Sequence, residues 1–591
     1  MITRLAGFDP SINTFFNALI RELGPVEYRA SHQDANHGCF VLHNPLTHER
    51  LLVPCLHRSG TGRHTLGTHL VREAGNHTAP LDFRSALEWC LKLPDIQHSS
   101  SVTSRQRFLG RVLNSHRNLT HINARSTGQH RVTRLETPMT FIDGERALIN
   151  GQPDHPFPRD RGDMTLGESL CYTPELGDRF PLAWYSVDRQ QLTKSQAANL
   201  GVRALTAGLF DPSGPQTLAA HPPGHVLIPC HPLQQYHWQA NPSIRRLQGQ
   251  GRVRFLGMGR ADWRATSSTQ TVWSPEHDWM VRFSLSVRLQ GRHRHISHAE
   301  ANRGPALSRL LERPALRRWL RQTAHFAILR EPMTLALCDK DGLELDETRI
   351  IFRENPFQGR RDERAEMLAT LLQEDPEHGQ SRLAMALARH QTSPRQWFQQ
   401  FLDRIADPLL EAQSRFGLLL GCHPQNLILG LDSRFLPERV WYRGAQDSVS
   451  VGPERASNTG RDRQRQAEEE AAIRLFCHDL VVDSIFNIIA SLTRAELCRE
   501  GELLTLLKHW LMLRRSAVHQ DSRAMDYLLA SPCLFARSTF LANLHDPEAP
   551  DSAANGGPLC CPVPNPLSTS TSQWATMSLT ESLENVRRAA V

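Results

Sequence analysis

Apolar positions along this chain recur with two periods, and the change of period predicts how it is organised. In "MVRFSLSVRL" (280–289) they alternate, so Phe283, Leu285, Val287 and Leu289 fall on one face of a strand, with Arg282, Ser284, Ser286 and Arg288 on the other. "CFVLHN" (39–44), "LLVPCLH" (51–57) and "HVLIPCHP" (225–232) also read as strands. From about residue 396 the spacing becomes helical, in "PRQWFQQFLDRIADPLLEAQSRFGLLL" (394–420) and "RQAEEEAAIRLFCHDLVVDSIFNIIASLTRAEL" (465–497). Three regions follow: 1–150, mixing short helices and strands; 151–395, holding most strand patterns; and 396–591, helical. The polar stretch 443–466 predicts a surface loop, and the tail from Asp551 is turn-rich.

Polar positions supply the candidate chemistry. If 280–289 is one straight strand, Arg282 and Arg288 stand about 20 Å apart, too far to hold one small anion. Gly291 permits a bend, after which Arg292 and Arg294 follow. Taken alone, this is an exposed, salt-bridged strand face. His293, His295 and His298 are interleaved with arginines that repel a divalent cation, which argues against a metal site there. "RATSSTQTVW" (264–273) packs hydroxyls together; beside arginines it becomes a phosphate cradle, because both groups donate to phosphate oxygens. In "FGLLLGCHPQNLILGL" (416–431) an apolar run stops at His423, Pro424, Gln425 and Asn426. A proline pushes its predecessor away from helical geometry, so His423 is expected at an exposed helix end.

Composition narrows the classes. A chain of 591 residues exceeds one core, which predicts two to four domains sharing clefts. Mean hydropathy is −0.42, and no charge-free apolar run of about 18 residues occurs, so nothing is expected to span a membrane. The N-terminus carries Asp9 and Arg21 within its apolar pattern and reads as a first helix, with cytoplasmic localisation expected. Twelve cysteines without a CxxC pair suit reduced thiols. A net charge of +7, from 68 basic against 61 acidic residues, does not demand nucleic acid. Lys92, Lys194, Lys340 and Lys508 are the only lysines, and none has a motif-like context, so anion binding falls to arginine. Neither a P-loop, a dinucleotide fingerprint, HExxH nor GxSxG is present.

Several stretches, taken in order, resemble one family. "INGQPDHPFPRDRGD" (149–163) resembles the GHPxHPxxKxRxG motif of the IucA/IucC family of NRPS-independent siderophore synthetases. "LIPCHPLQ" (227–234) is similar to its PvHPWQ, "ATSSTQTV" to TSSxRTV, "RFSLSVRLQGRHRH" to KLSLxIRLTNxIR, "GLLLGCHPQN" to GxxLExHxQN, and "VWYRGAQD" to xxYRDxxG. "LFARSTFLANL" and "PVPNPL" resemble the C-terminal ends of such proteins.

The resemblance implies an α+β fold shaped like a cupped hand: an N-terminal thumb (1–150), β-rich fingers (151–395) and a helical palm (396–591). It implies ATP-dependent adenylation of a carboxylate, citrate or a related acid. A polyamine, amino acid or amino alcohol then attacks, in an enzyme expected to use Mg2+ and to form a homodimer. Carried over by position, Ser268 and Thr271 hold phosphates, with Arg282 in place of a lysine; His155 and Arg159 lie near the phosphates; Arg294 and His423 bind the acid; Gln425 and Asn426 surround nucleotide and metal. The departures are Gln152 for histidine, Arg159 and Arg282 for lysines, Gln270 for arginine, Gly421 for glutamate and Gly444 for aspartate. The last two remove expected metal ligands, leaving Asn426 with Asp447, or Asp432, as substitutes. The alternative is a catalytically weakened, synthetase-like binding or partner protein.

Overall fold

A computed structural model describes residues 7–31, 37–125, 135–197, 200–209, 222–359, 364–377, 379–450, 460–518, 520–545 and 560–568. The centre of the polar stretch 443–466 and most of the tail from Asp551 lie outside them. The chain opens with helix Pro10–Glu22, which Asp9 starts by accepting hydrogen bonds from the Ser11 and Ile12 amides, with Pro10 at its first position. Its apolar face meets an antiparallel sheet in the order Glu27–Ala30, Gly38–His43, Arg50–His57, Leu70–Ala74, His77–Leu81, with Thr65–Leu66 beside Arg50–His57. Phe15, Phe16, Phe108 and Phe157 fill this core, and Phe540 joins them from the far end of the sequence. Glu22 fixes that return by accepting from the amides of Thr539, Phe540 and Leu541.

The middle of the chain builds two sheets. One runs Val253–Met258, Ala183–Asp188, His225–Cys230; the other runs Arg264–Ala265, Thr271–Trp273, Trp279–Phe283, Ile350–Glu354, Met333–Leu337, Leu192–Gln196. The expected single strand over 280–289 is two. Trp279–Phe283 stays in the second sheet, whereas Leu285–Leu289 pairs with Arg292–Arg294 in a separate hairpin. Ser284 makes the break: its amide donates to Arg349 O and its hydroxyl to Asp346 O, while it accepts from the Ile296 amide. The hairpin turns at Gln290 and Gly291, whose φ values of 54° and 80° are those of a type I′ turn. The apolar face survives the break, since Phe283, Leu285, Val287 and Leu289 are buried; the opposite face is not exposed as expected, with Ser284 buried and Arg282, Ser286 and Arg288 half-buried.

Four strands, Phe326–Ile328, Pro437–Tyr442, Leu427–Leu431 and Ala365–Met367, form the sheet of the C-terminal part, and its core also draws on Leu307, Trp319 and Leu383. The helical pattern from 394 is observed as Pro394–Phe401, a π-helical turn Leu402–Ala406, and Asp407–Phe416. Gly417, at φ 60°, stops it, so Leu418–Leu419 is a strand and His423 does not sit at the end of that long helix. The second pattern forms one rod, Gly460–Cys477, His478–Ile485 and Phe486–Arg494, whose middle piece is again π-helical. Residues Arg465–Arg494 are long and apolar enough to cross a membrane, but 89% of their most apolar window is packed inside the protein. Helices and mostly antiparallel sheets, largely segregated, make this an α+β fold.

Candidate active site

The hydroxyl-rich stretch is a tight turn between Arg264–Ala265 and Thr271–Trp273. The Thr266 amide donates to Thr271 O at 2.8 Å, and Thr269 adopts a left-handed φ of 64°, a conformation β-branched residues rarely accept. Ser268 lies exposed at its tip, and its Oγ accepts from the Thr271 amide at 3.2 Å. Thr271 pairs directly with Arg282 across the strands, which brings two of the expected phosphate-binding residues together. Arg282 also faces Glu300 at 3.7 Å. Gln270 turns inward, and its amide nitrogen donates to Phe283 O and to Arg294 O, stapling the Arg294 hairpin to the turn. Arg294 in turn donates from Nη2 to Gln290 Oε1 at 2.6 Å.

On the C-terminal side, His423 holds ψ 159°, as the residue before a proline should, and stands at the start of the one-turn helix Pro424–Asn426 with its side chain making no capping hydrogen bond. Its Nε2 stands 3.8 Å from Asp447 Oδ2. Asn426 Nδ2 donates to that same oxygen at 3.0 Å and to Gly421 O at 2.7 Å. His423, Asn426 and Asp447 are therefore one constellation, with 41% of the Asp447 side chain open to solvent. Enclosure by the protein works against the Asp447 charge, but His423, Asn426 and Arg537 outweigh it and hold the carboxyl well below its usual range. Close by, Asp483 is pushed up to about 6 by burial and by Asp154, with Arg21 opposing.

The two glycines are filled positions. A Cβ at Gly421 would stand 2.5 Å from Asp447 Cβ and 3.3 Å from Asp479 Oδ2; one at Gly444 would stand 2.3 Å from Asn426 Nδ2 and 2.6 Å from the Tyr442 hydroxyl. Neither expected carboxylate fits the present packing. Asp447, Asp479 and Asn426 occupy the space instead, and Asp432 is used in its own turn, accepting from the Arg434 and Leu436 amides.

Arg443 ties the two halves together. From a site only 6% exposed it donates to Gln425 O at 2.8 Å and Ser267 Oγ at 3.4 Å, and it pairs with Glu145 at 2.5 Å. Glu145 in turn accepts from the Ser267 amide at 2.8 Å. Gln446 adds a second tie, donating to the buried Glu331, which also pairs with Arg353. Gln425 is thus fixed through its backbone, leaving its half-buried side chain for the cleft. Arg443 lies inside the quoted "VWYRGAQD" and was legible there, whereas Glu145 and Asp479 lie outside every motif quoted.

His155 and Arg159 are both buried, and their hydrogen bonds to Phe157, Leu148 and Ile149 reach neither the hydroxyl turn nor the His423 loop. The His155 ring packs edge-on against Phe157, and its Nδ1 accepts from the Phe157 amide. Arg159 donates from Nη2 to Leu148 O and from Nε to Ile149 O, and burial lowers it to about 10. Their neighbour Asp154 is the part of the motif that reaches the rod, through Arg21 at 3.1 Å and its proximity to Asp483.

The chain resembles known proteins along nearly its whole length. Residues 140–373 match the family model described as "IucA / IucC family", and 395–551 match one described as "Ferric iron reductase FhuF-like transporter". The chain is 28% identical over 580 residues to an N(2)-citryl-N(6)-acetyl-N(6)-hydroxylysine synthase of Vibrio mimicus, covering 95% of each, and 26% identical to the protein of that name from Escherichia coli, covering 91% of this chain and 94% of the other. In fold it is similar to the ATP-bound aerobactin synthetase IucA of Klebsiella pneumoniae, with a TM-score of 0.84, 24% identity, and 95% of this chain and 100% of that one covered. Residues 140–373 thus match the IucA/IucC family, and the chain is similar along nearly its whole length to proteins named N(2)-citryl-N(6)-acetyl-N(6)-hydroxylysine synthase.

Proposed function

We propose that this protein is an ATP-dependent siderophore synthetase that activates citrate or a related carboxylate as an acyl adenylate and condenses it with an amine or hydroxyl. Curated relatives carry citrate in their names and differ in the amine, as in the spermidine–citrate ligase of Bacillus anthracis and the L-2,3-diaminopropanoate–citrate ligase of Staphylococcus aureus. The observation that carries the reading is the clamp of Arg443 and Glu145, which sets the Ser267–Thr271 turn against the Gln425 loop. By joining the hydroxyl turn to the backbone of Gln425, two residues from His423, it supports a site shared by hydroxyl donors, arginines and an imidazole.

The chemistry needs that arrangement. A carboxylate oxygen attacks the α-phosphorus, a new P–O bond forms, and the bond to the β,γ-phosphates breaks to release pyrophosphate. Both reactants are anions, so fixed donors must offset the charge that builds up at phosphorus. Ser268, Thr271 and Arg282 are assigned to the nucleotide phosphates, with His155 and Arg159 supporting them. Arg294 and His423 are assigned to the acid, and Gln425 and Asn426 to the nucleotide side of the palm. Asp447, half open beside His423 and Asn426, orients both. The amine lone pair then attacks the acyl carbon, AMP leaves, and the amine proton passes to a base in the cleft. A divalent ion of the Mg2+ class would supply further charge neutralisation. The thumb, fingers and palm limits at 150 and 395, a cytoplasmic location and a homodimer belong to the same proposal.

The filled positions at Gly421 and Gly444 motivate a second reading, in which adenylation is weakened and the protein binds its ligands as a partner. Pyrophosphate release from ATP separates the two, measured with Mg2+ and a panel of acids including citrate and 2-oxoglutarate. Acid-dependent release supports the synthetase; release at background with every acid and amine supports the second reading.

A further inference from the structure

The π-helical piece His478–Ile485 changes which side chains share a face of the rod. In an α-helix residues i and i+5 are about 140° apart, whereas at about 4.4 residues per turn a π-helix brings them within about 50°. Asp483 therefore swings under His478 and Asp479. One imidazole nitrogen and one oxygen from each carboxylate lie within 4.8 Å of one another. An octahedral shell with bonds of about 2.1 Å needs neighbouring donors about 3.0 Å apart and opposite donors about 4.2 Å apart, so this spacing suits three ligands of one ion.

Two independent observations point to a ligand. His478 Nδ1 and Asp479 Oδ1 are buried without a hydrogen-bond partner, in residues 4% and 2% exposed. Arg537 is 3.6 Å from that Asp479 oxygen, beyond hydrogen-bond range. Orphaned polar atoms at such depth are costly unless something completes them. Asp479 Oδ2, moreover, lies 3.3 Å from where a side chain at Gly421 would begin, so its carboxylate approaches the position from which the family's glutamate would project. Asp483 keeps a quarter of its side chain open, which leaves a route in.

We propose that His478, Asp479 and Asp483 form a divalent-cation site that takes over from the carboxylates absent at positions 421 and 444. Two hard oxygens and one imidazole suit Mn2+ better than Mg2+. The proposal rests on the synthetase reading only for what the cation serves; the donor set stands without it.

The test titrates Mn2+ into the full chain without nucleotide or acid, following free Mn2+ by electron paramagnetic resonance. One equivalent should bind. Asp479→Asn and Asp483→Asn should each weaken it by roughly tenfold or more, while Asp447→Asn stays within about twofold. Wild-type protein that takes up no Mn2+ overturns the site, as does loss of binding in Asp447→Asn with retention in the other two. Circular dichroism checks folding; if an aspartate variant unfolds, His478→Gln replaces it, and wild-type affinity there overturns the site too. Mn2+ uptake without pyrophosphate release would leave the site standing and remove the synthetase reading; release without uptake would do the reverse.

Discussion

His423 carries more of the account than any other single residue. Its imidazole lies in an open cleft, 19% exposed, with Asp447 3.8 Å away, and the apolar residues around it on the sheet pack without its help. His423→Ala should therefore lower adenylation by about 10² or more, the scale of losing one transition-state donor, with a melting temperature close to wild type. A large fall in melting temperature with a proportionate fall in rate would make it a packing residue. Gly444 gives the opposite prediction. Returning the aspartate of the family motif by Gly444→Asp drives a Cβ into Asn426 and Tyr442, so it should cost about 1–3 kcal/mol in chemical denaturation and reduce activity at limiting Mg2+. A gain in activity there would show that the loop re-forms around the new carboxylate. The sequence departs from the family motifs at both Gly421 and Gly444. That the space there is filled by Asn426, Asp447 and Asp479 depends on contacts between residues far apart in the chain.

At the scale of elements, the turn 266–271 and the hairpin 285–294 act together because Gln270 joins them. Gln270→Ala leaves the carbonyls of Phe283 and Arg294 without this donor, and it should raise the KM for the acid several-fold more than the KM for ATP. Equal effects on both would separate Gln270 from the Arg294 hairpin. The alternation of Phe283, Leu285, Val287 and Leu289 was enough to predict which face is buried, because period-two patterning survives a change of sheet. The break at Ser284 was not legible, since it is made by hydrogen bonds to Asp346, Arg349 and Ile296. The same limit applies to the rod 460–494: its helical spacing is plain in the sequence, but the π-turn that gathers His478 and Asp483 leaves the apolar pattern nearly unchanged.

Over the whole molecule, buried titratable groups set the response to acid. His64, His231 and His478 are each lowered by burial to about 3, so they stay neutral in the fold and take up protons in the unfolded chain below about 6.5. The unfolded state then binds more protons, and stability must fall as pH drops from 6.5 toward 3. Glu374, held near 2 because Arg63 and Arg494 outweigh its burial, adds a second loss as pH falls from about 4.5 through 2. The urea midpoint should decline between pH 7.5 and 5.5. His231→Asn, which keeps an acceptor for the Leu233 amide, should flatten that decline, and an unchanged slope would remove His231 from the explanation. The order of motifs made the likeness to IucA/IucC proteins legible, and the change from period-two to helical spacing foreshadowed the α+β class. The ties that close the cleft, Arg443 to Glu145 and Gln446 to Glu331, join segments more than a hundred residues apart and needed the fold.

Exchange of labelled pyrophosphate into ATP, without any amine, reports reversible formation of an acyl adenylate and nothing later. Exchange that requires citrate or a related acid and falls about 10² in His423→Ala is the predicted result. Exchange that is absent with every acid, or that His423→Ala leaves untouched, would contradict the proposed adenylation at His423.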